Sequence, residues 1–181
     1  MKSLSIVLIL LISVISQTSF WPALGIYGAA PNLVLVFILA WVILVFQKDL
    51  SDSRKFWPII LAGLLLDLFS GLPFGVFSLS FIGLTYLVDW LIKNIFSRIN
   101  FGSLVLLSLA ATLFYNLILI ILIRLFIPIS VLFGSISFKD GSWPVNPYSF
   151  YSILLEAVYN TILITLIFYG IKKIFYQKQF R

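Results

Sequence analysis

The sequence predicts an all-α integral membrane protein in which six transmembrane helices form one compact bundle. Of its 181 residues, 62% are hydrophobic and only 10% are charged, a balance that soluble globular domains do not have. Three long windows, residues 3–47, 68–88 and 99–123, contain no Lys, Arg, Asp or Glu. Because a membrane helix needs about 20 mostly apolar residues, these windows hold several spans, and the first is long enough for two.

The predicted spans belong to a single transmembrane domain that covers the whole chain. The second span starts close to Pro31, which a first helical turn tolerates. The third is short for a full crossing, so we expect it to be tilted, completed by the turn that follows it, or buried by its neighbours. The predicted spans cover residues 4–20, 28–46, 56–70, 74–91, 101–123 and 151–171, with an external loop over residues 124–150 and a basic tail over residues 172–181.

Basic residues are distributed unevenly between the two sides of this topology. Ten of the twelve Lys and Arg residues lie at the N-terminus, in the loops after the second and fourth spans, and in the tail. Only Arg124 and Lys139 lie on the other side. Cytoplasmic loops of membrane proteins carry such an excess of positive charge. The distribution therefore predicts a multi-pass protein with both termini in the cytoplasm.

The two ends of the chain each allow a second interpretation. Lys2 and the apolar run after it also fit a secretory signal with cleavage after Ser16, but "FWP" at residues 20–22 fits the outer end of a retained span better. The tail "KKIFYQKQFR" mixes basic and aromatic residues. That composition is typical of an anchor to anionic lipid headgroups, and we expect the bilayer, not nucleic acid, to be its partner.

The composition argues against several kinds of chemistry. The chain contains no cysteine and no histidine, which removes thiolate nucleophiles, zinc or haem ligation by these residues, and histidine bases. We find no phosphate-binding loop and no nucleophile beside a base. The sequence therefore predicts neither an enzyme nor a cofactor. For Ser70, Ser78 and Ser80 we expect hydrogen bonds to backbone carbonyls within their span.

Few polar residues lie inside the predicted spans. Asp67, Arg124 and Glu156 are expected at similar depth in the outer leaflet, with Asn116 and Asn160 one to two turns deeper. A charge in hydrocarbon costs about 2.5–3.5 kcal/mol, so such groups usually face the bundle and pair. Two acids and one arginine leave one carboxylate to be protonated, hydrated from outside, or satisfied by an asparagine or a partner. Helix packing, partner binding and a proton or cation relay all remain open as roles.

Two further patterns concern the third and fourth spans. In "GLLLDLFSGLPFG", residues 63–75, Gly71 and Gly75 have the spacing of a helix-packing motif, but Pro73 interrupts it. We therefore expect a tight helical hairpin, whose backbones come into near contact beside Gly63 and Gly83. Asp89, four residues before Lys93, predicts an ion pair at the cytoplasmic interface.

Three segments together give the chain a recognisable resemblance. They are "PNLVLVFIL" from Pro31, "GLLLDLFSGLPFG" around Asp67, and "SLSF" at residues 78–81. This pattern resembles the bacterial rod shape-determining MreD family, in which the position of Asn32 often carries Asp. The resemblance implies a fold similar to the membrane substrate-binding subunits of energy-coupling-factor transporters. It points to Pro31, Asn32, Asp67, Gly71, Pro73 and Gly75 as positions for structure or partner binding.

The resemblance also implies a function and a location. The protein would be a non-catalytic subunit of the cell-wall elongation complex in the bacterial cytoplasmic membrane. It would bind the bitopic protein MreC and so connect MreB filaments to the glycosyltransferase RodA and its transpeptidase.

Two other functions fit the predicted architecture. A transporter subunit would bind a small vitamin-like ligand in an outer pocket lined by Asp67, Arg124, Asn116, Glu156 and Asn160. A small channel fits less well, because no charged ring or polar stripe crosses the predicted spans.

Overall fold

The regular structure of the protein is helical wherever it is described. The computed structural model describes residues 3–21, 29–46, 56–96, 100–132 and 150–179. These ranges contain six helices and no strand. The helices are α1 (Ser3–Ser19), α2 (Leu33–Phe46), α3 (Trp57–Ser70), α4 (Val76–Asn94), α5 (Phe101–Leu132) and α6 (Phe150–Gln179).

Three of these helices are long and apolar enough to cross a membrane. The qualifying stretches are Val76–Asn94 in α4, Phe101–Phe126 in α5 and Phe150–Gly170 in α6. The other three helices contain shorter apolar stretches, of which Trp57–Ser70 is one. Length and composition thus identify a membrane protein, and the short third helix that the sequence predicts is present.

Helix α2 forms the centre of the bundle. It packs against each of the other five helices. Val34, Ile38 and Val42 are all 0% exposed, as are Leu35 and Leu39, so α2 is buried over most of its circumference, with Phe37 and Trp41 partly buried on the remaining side. Its sequence, LVLVFILAWVILVF, shows no polar face, as is typical of a helix inside a protein core or a membrane.

The remaining helices pack around α2 largely in chain order. α3 packs on α4, α4 on α5 and α5 on α6, while α1 packs on α2 and α3. In α1, Leu10 and Val14 are fully buried, whereas Leu4 and Ile12 are 71% and 63% exposed. In a membrane, exposed apolar faces of this kind contact lipid, and close packing holds the helices together.

The helix boundaries depart from the predicted spans in three places. α2 begins at Leu33 and not at residue 28, because Asn32 caps its first turn. α5 continues to Leu132, so the first part of the predicted loop 124–150 is helical; this stretch is apolar and contains no glycine before Gly134. α6 runs to Gln179, so most of the predicted tail is a helical extension.

Candidate functional site

The Asp67 carboxylate caps the first turn of the next helix. Asp67 lies in the last turn of α3 and is only 4% exposed. Its Oδ1 accepts a hydrogen bond from the backbone N–H of Phe77 (2.8 Å). Its Oδ2 accepts from the backbone N–H and the hydroxyl of Ser78, at 3.2 and 2.6 Å. The carboxylate therefore satisfies free N–H groups at the start of α4 and faces the positive end of that helix dipole.

The turn between α3 and α4 depends on two glycines with positive φ. Gly71 ends α3 with φ 68°, and Gly75 precedes α4 with φ 98°. Gly75 has no side chain with which to cap α4, so Asp67 supplies the cap from the preceding helix. Pro73 lies between the two glycines, and its carbonyl accepts from Val76 N–H at 3.4 Å. The predicted helical hairpin is present. We call the hydrogen bonds of the Asp67 carboxylate to Phe77 and Ser78 the Asp67 cap.

Gly63 allows α3 and α4 to approach closely enough for this cap to form. It lies one turn before Asp67, and a Cβ at this position would overlap the Ser78 Cα and lie 2.9 Å from the Ser78 nitrogen. Near contact of the two backbones at Gly63 is therefore confirmed. Gly83 has a different neighbour, because a Cβ there would lie 3.0 Å from the Ile118 side chain of α5.

The three serines of the hairpin differ in their hydrogen bonds. Ser80 donates to the Val76 carbonyl at 2.8 Å, as predicted for a hydroxyl within a span. The Ser70 hydroxyl donates to the Asp67 carbonyl at 3.5 Å and accepts from Leu72 N–H. For Ser78 the prediction is wrong, because its hydroxyl donates to the Asp67 carboxylate. Its position in the first turn of α4, beside a buried acid, is the sequence signal for this role.

A second polar cluster joins α2, α5 and α6. It consists of Asn32, Asn116, Asn160 and Glu156, and we call it the three-asparagine cluster. The three asparagines are 8%, 2% and 0% exposed, respectively, and Glu156 is partly buried. Asn116 Nδ2 donates to Glu156 Oε2 at 3.1 Å and to the Thr112 carbonyl at 3.0 Å. The Asn32 and Asn160 side chains also interact with the Glu156 carboxyl.

The same cluster fixes the start of the central helix. Asn32 Oδ1 accepts from Leu35 N–H at 2.9 Å, which is the usual N-cap bond. The backbone N–H of Asn32 donates to Asn160 Oδ1 at 2.8 Å, and Gln17 Oε1 of α1 accepts from Val34 N–H at 3.0 Å. Pro31 lies directly before this cap. The start of α2 is thus held by its own cap residue and by one side chain each from α1 and α6.

Small polar residues extend the cluster along the contact between α5 and α6. Ser108 and Thr112 lie two turns and one turn before Asn116 on α5, and both are buried. Thr161 of α6 donates to the Ser108 hydroxyl at 3.2 Å. Polar residues recur at every fourth position on both α5 and α6. This spacing is the sequence signal for a polar contact between the two helices.

Arg124 does not join either cluster. Its side chain is exposed, and within the described residues it pairs with neither Asp67 nor Glu156. Arg124 lies eight residues beyond Asn116 on α5, which is about 12 Å along a helix. Because Asn116 contacts Glu156, Arg124 lies about two turns farther along the bundle than the Glu156 carboxyl. The expected meeting of Asp67, Arg124 and Glu156 is therefore absent from the part of the chain that the structure describes.

The predicted pair at the other end of α4 is present. Lys93 Nζ lies 2.7 Å from Asp89 Oδ2; the lysine side chain is 57% exposed and the aspartate side chain 16%. Helical pairs of this spacing with an exposed partner contribute little to stability. We therefore expect the Asp89–Lys93 pair to contribute less to the free energy of unfolding than either buried cluster.

The described residues offer hydrogen-bonded structure but no group that could hold a metal. No cluster of three or more acidic side chains occurs within the described ranges. The buried Asp67 and the partly buried Glu156 instead accept hydrogen bonds from neutral donors. The structure is an apolar bundle in which a few buried polar groups join one helix to another. These features place the protein in the class of helical membrane proteins.

Comparison with known proteins supplies the family. The family model described as rod shape-determining protein MreD matches residues 1–178, so this chain belongs to the MreD family. No curated protein and no solved structure matches the chain significantly. The family assignment makes the protein a rod shape-determining membrane protein.

Proposed function

We propose that this protein is a non-catalytic membrane subunit of the cell-wall elongation complex. In this role it binds an MreC-like bitopic membrane protein. Through that partner it helps couple MreB filaments to RodA and to the elongation transpeptidase. The observation that carries the proposal is the match of the MreD family to residues 1–178, a family whose function is to determine rod shape.

The proposal includes a topology in the bacterial cytoplasmic membrane. All six helices cross the bilayer, with both termini in the cytoplasm, in a fold like that of energy-coupling-factor substrate-binding subunits. The uneven distribution of basic residues supports this orientation. The short helix α3 crosses with its neighbours because its polar end, at Asp67, is enclosed by α4.

The outer turn of the α3–α4 hairpin is the proposed contact surface for the partner. Leu68, Phe69 and Phe74 are 71%, 52% and 66% exposed around this turn. The turn itself is held by the Asp67 cap and by Gly71 and Gly75, so these apolar side chains project from a fixed backbone. A preorganised apolar surface suits a membrane partner because little conformational entropy is lost on binding.

The experiment is a mild-detergent pull-down of the tagged protein from native membranes, with mass spectrometry of the bound proteins. Recovery of a single-span protein with an external domain, together with wall synthases, supports the proposal. Phe74→Ala should weaken recovery without changing thermal stability, since this exposed side chain does not hold the hairpin together. Equal recovery by wild type and Phe74→Ala would remove this surface from the proposal.

The same experiment tests the transporter alternative. A vitamin-binding subunit would purify with paired ATPases and a second multi-span subunit. The three-asparagine cluster is the observation that favours this alternative, because it places several amides beside a carboxyl group at the outer end of the bundle. Recovery of such ATPases in place of a bitopic protein would replace the first proposal by the second.

A further inference from the structure

The central helix α2 has one side that its neighbours leave partly open. Five helices surround α2, and they pack on one another in the order α1, α3, α4, α5 and α6. α6 and α1 both pack on α2, but the described residues show no comparable contact between these two helices. Among residues 33–43 of α2, the partly exposed positions are Leu33, Phe37 and Trp41, which recur every fourth residue on one face. This face therefore lies between α1 and α6.

The face of α6 that meets α2 becomes exposed toward the C-terminal end of the helix. Asn160 contacts Asn32 at the start of α2 and is 0% exposed. Leu163, Ile167 and Gly170 follow on the same helical face. Leu163 is partly buried, Ile167 is 37% exposed and Gly170 is exposed. A Cβ at Gly170 would meet no other atom of the described residues within 4 Å, so the space beside α6 is open at this end.

α1 forms the other side of the opening. Its buried face contains Leu10, which is 0% exposed. On one flank of this face Leu11 is partly buried, whereas on the other flank Ile9 and Ser13 are exposed. Since α1 also packs on α3, the covered flank is the one toward α3, and the exposed flank borders the opening. We call this opening the α1–α6 groove, and its lining residues are Ile9, Ser13, Phe37, Trp41, Ile167 and Gly170.

The α1–α6 groove extends over about half the thickness of a membrane. Asn160 lies at the midpoint of the membrane-spanning stretch Phe150–Gly170. Gly170 lies ten residues farther along α6, which is about 15 Å of helix, and the hydrocarbon core of a bilayer is about 30 Å thick. In the topology proposed above, on which this inference rests, that half is the cytoplasmic leaflet. The groove therefore has the depth of one lipid acyl chain.

The helices that form the groove share a positive charge at their cytoplasmic ends. No Asp or Glu occurs in residues 1–48 or 157–181. Basic sites between transmembrane helices on the cytoplasmic side bind the headgroups of anionic lipids. The lysines at these ends are Lys2, directly before α1, Lys48, two residues after α2, and Lys172 and Lys173, two and three residues after Gly170 in α6.

We propose that the α1–α6 groove binds one anionic phospholipid. An acyl chain lies against Phe37 and Trp41, and the phosphate headgroup binds to the lysines at the ends of α1, α2 and α6. Charge complementarity selects this occupant, because a transmembrane helix of a partner or of a second copy would fill the groove without requiring these charges. The bound lipid joins α1 to α6, the two neighbours of α2 that do not pack on each other in the described part of the chain.

The test measures lipid binding to the purified full-length protein by native mass spectrometry from detergent. Phosphatidylglycerol is the anionic probe, and phosphatidylcholine with the same acyl chains is the neutral one. We expect one molecule of phosphatidylglycerol to bind, about tenfold or more tightly than phosphatidylcholine. Equal binding of the two lipids would overturn the proposal. The measurement uses no partner protein, so its failure leaves the elongation-complex proposal intact, and a failed pull-down leaves the lipid site intact.

Two variants locate the binding site. Gly170→Trp places a ring in the groove and should lose most of the bound phosphatidylglycerol. Gly102→Trp is its matched control, because Gly102 also lies at the cytoplasmic end of a helix, with open space beside it. The double variant Lys172→Gln/Lys173→Gln should bind about fivefold more weakly per lysine, whereas Lys93→Gln at the end of α4 should bind normally.

Unchanged phosphatidylglycerol binding by Gly170→Trp would contradict the proposal. Loss of partner recovery by this variant, with lipid binding unchanged, would assign the groove to a partner helix instead.

Discussion

The two buried polar clusters differ in how far along the chain their partners lie. Asp67 bonds to residues ten and eleven positions later, so the Asp67 cap is a local structure of one hairpin. In the three-asparagine cluster, Asn116 and Glu156 are 40 positions apart, and Asn32 and Asn160 are 128 apart. The first cluster shapes a turn, while the second joins helices from distant parts of the chain. The bundle therefore uses buried polar groups both to fix a local turn and to connect helices that are distant in the sequence.

The largest effect is expected for Asp67→Ala. The substitution strands two backbone N–H groups and one hydroxyl at the start of α4, and it removes the charge at the helix terminus. Loss of a cap costs about 1–2 kcal/mol and each stranded buried donor about 1–3 kcal/mol. We expect a loss of about 3 kcal/mol or more, measured by thermal unfolding in detergent.

The matched control for this prediction is Asp89→Ala. It removes a partly buried acid from α4 that pairs with the exposed Lys93, so the loss should be about 0.5 kcal/mol. In native membranes, Asp67→Ala should also lose bound partner proteins more completely than Asp89→Ala. Equal stability and equal partner recovery for both variants would contradict the assignment of Asp67 as a cap.

The next largest effect is expected for Gly63→Ala. A methyl group at this position meets the Ser78 backbone, which cannot move without separating α3 from α4. Overpacking of this kind costs about 1–3 kcal/mol. Gly83→Ala is the comparison, because its neighbour is the end of a flexible isoleucine side chain. Circular dichroism melts should show a larger decrease for Gly63→Ala, and the reverse order would exclude close backbone contact at Gly63.

A smaller effect is expected at the start of the central helix. Asn32→Ala removes the cap of α2 and should cost about 1 kcal/mol. Asn32→Ser keeps an oxygen that can cap and should recover most of that loss. Both variants keep the backbone N–H that donates to Asn160. If the two variants were equally destabilised, as measured by thermal unfolding, the capping role of Asn32 would be wrong.

A final comparison concerns two glycines that differ in backbone conformation. A Cβ at Gly75 or at Gly102 would meet no atom of the described residues within 4 Å. Gly75 has φ 98°, so Gly75→Ala should cost about 1–2 kcal/mol from backbone strain alone. Gly102 lies in the first turn of α5, where alanine should be neutral or stabilise by up to about 1 kcal/mol. A melting temperature that changes in the same direction for both would refute this account of the turn.

The sequence predicts the helices and the hairpin well because both depend on local patterns. All six predicted spans correspond to helices, and the glycines and proline at residues 71–75 predict the turn. The partner of Asp67 was not predicted, since Arg124 is the obvious counter-ion by charge, whereas backbone N–H groups carry no sequence signature. The sequence places the end of α5 too early, because the charge-free window ends at Ile123, directly before Arg124.

The three-asparagine cluster was predicted only in part. Asn116, Glu156 and Asn160 were expected to be buried and polar, but nothing in the chain order brings Asn32 to them. Their meeting depends on α2 being the central helix, which follows from the packing of the whole bundle. Long-range contacts of this kind require the tertiary structure.

Hydrogen–deuterium exchange at the start of α4 tests the central claim most directly. If Asp67 caps this helix, the amides of Phe77 and Ser78 are protected in the wild type and exchange much faster in Asp67→Ala. Asp89→Ala should leave the same amides protected. Unchanged protection of Phe77 and Ser78 in Asp67→Ala would contradict the claim that this buried acid exists to close the hairpin.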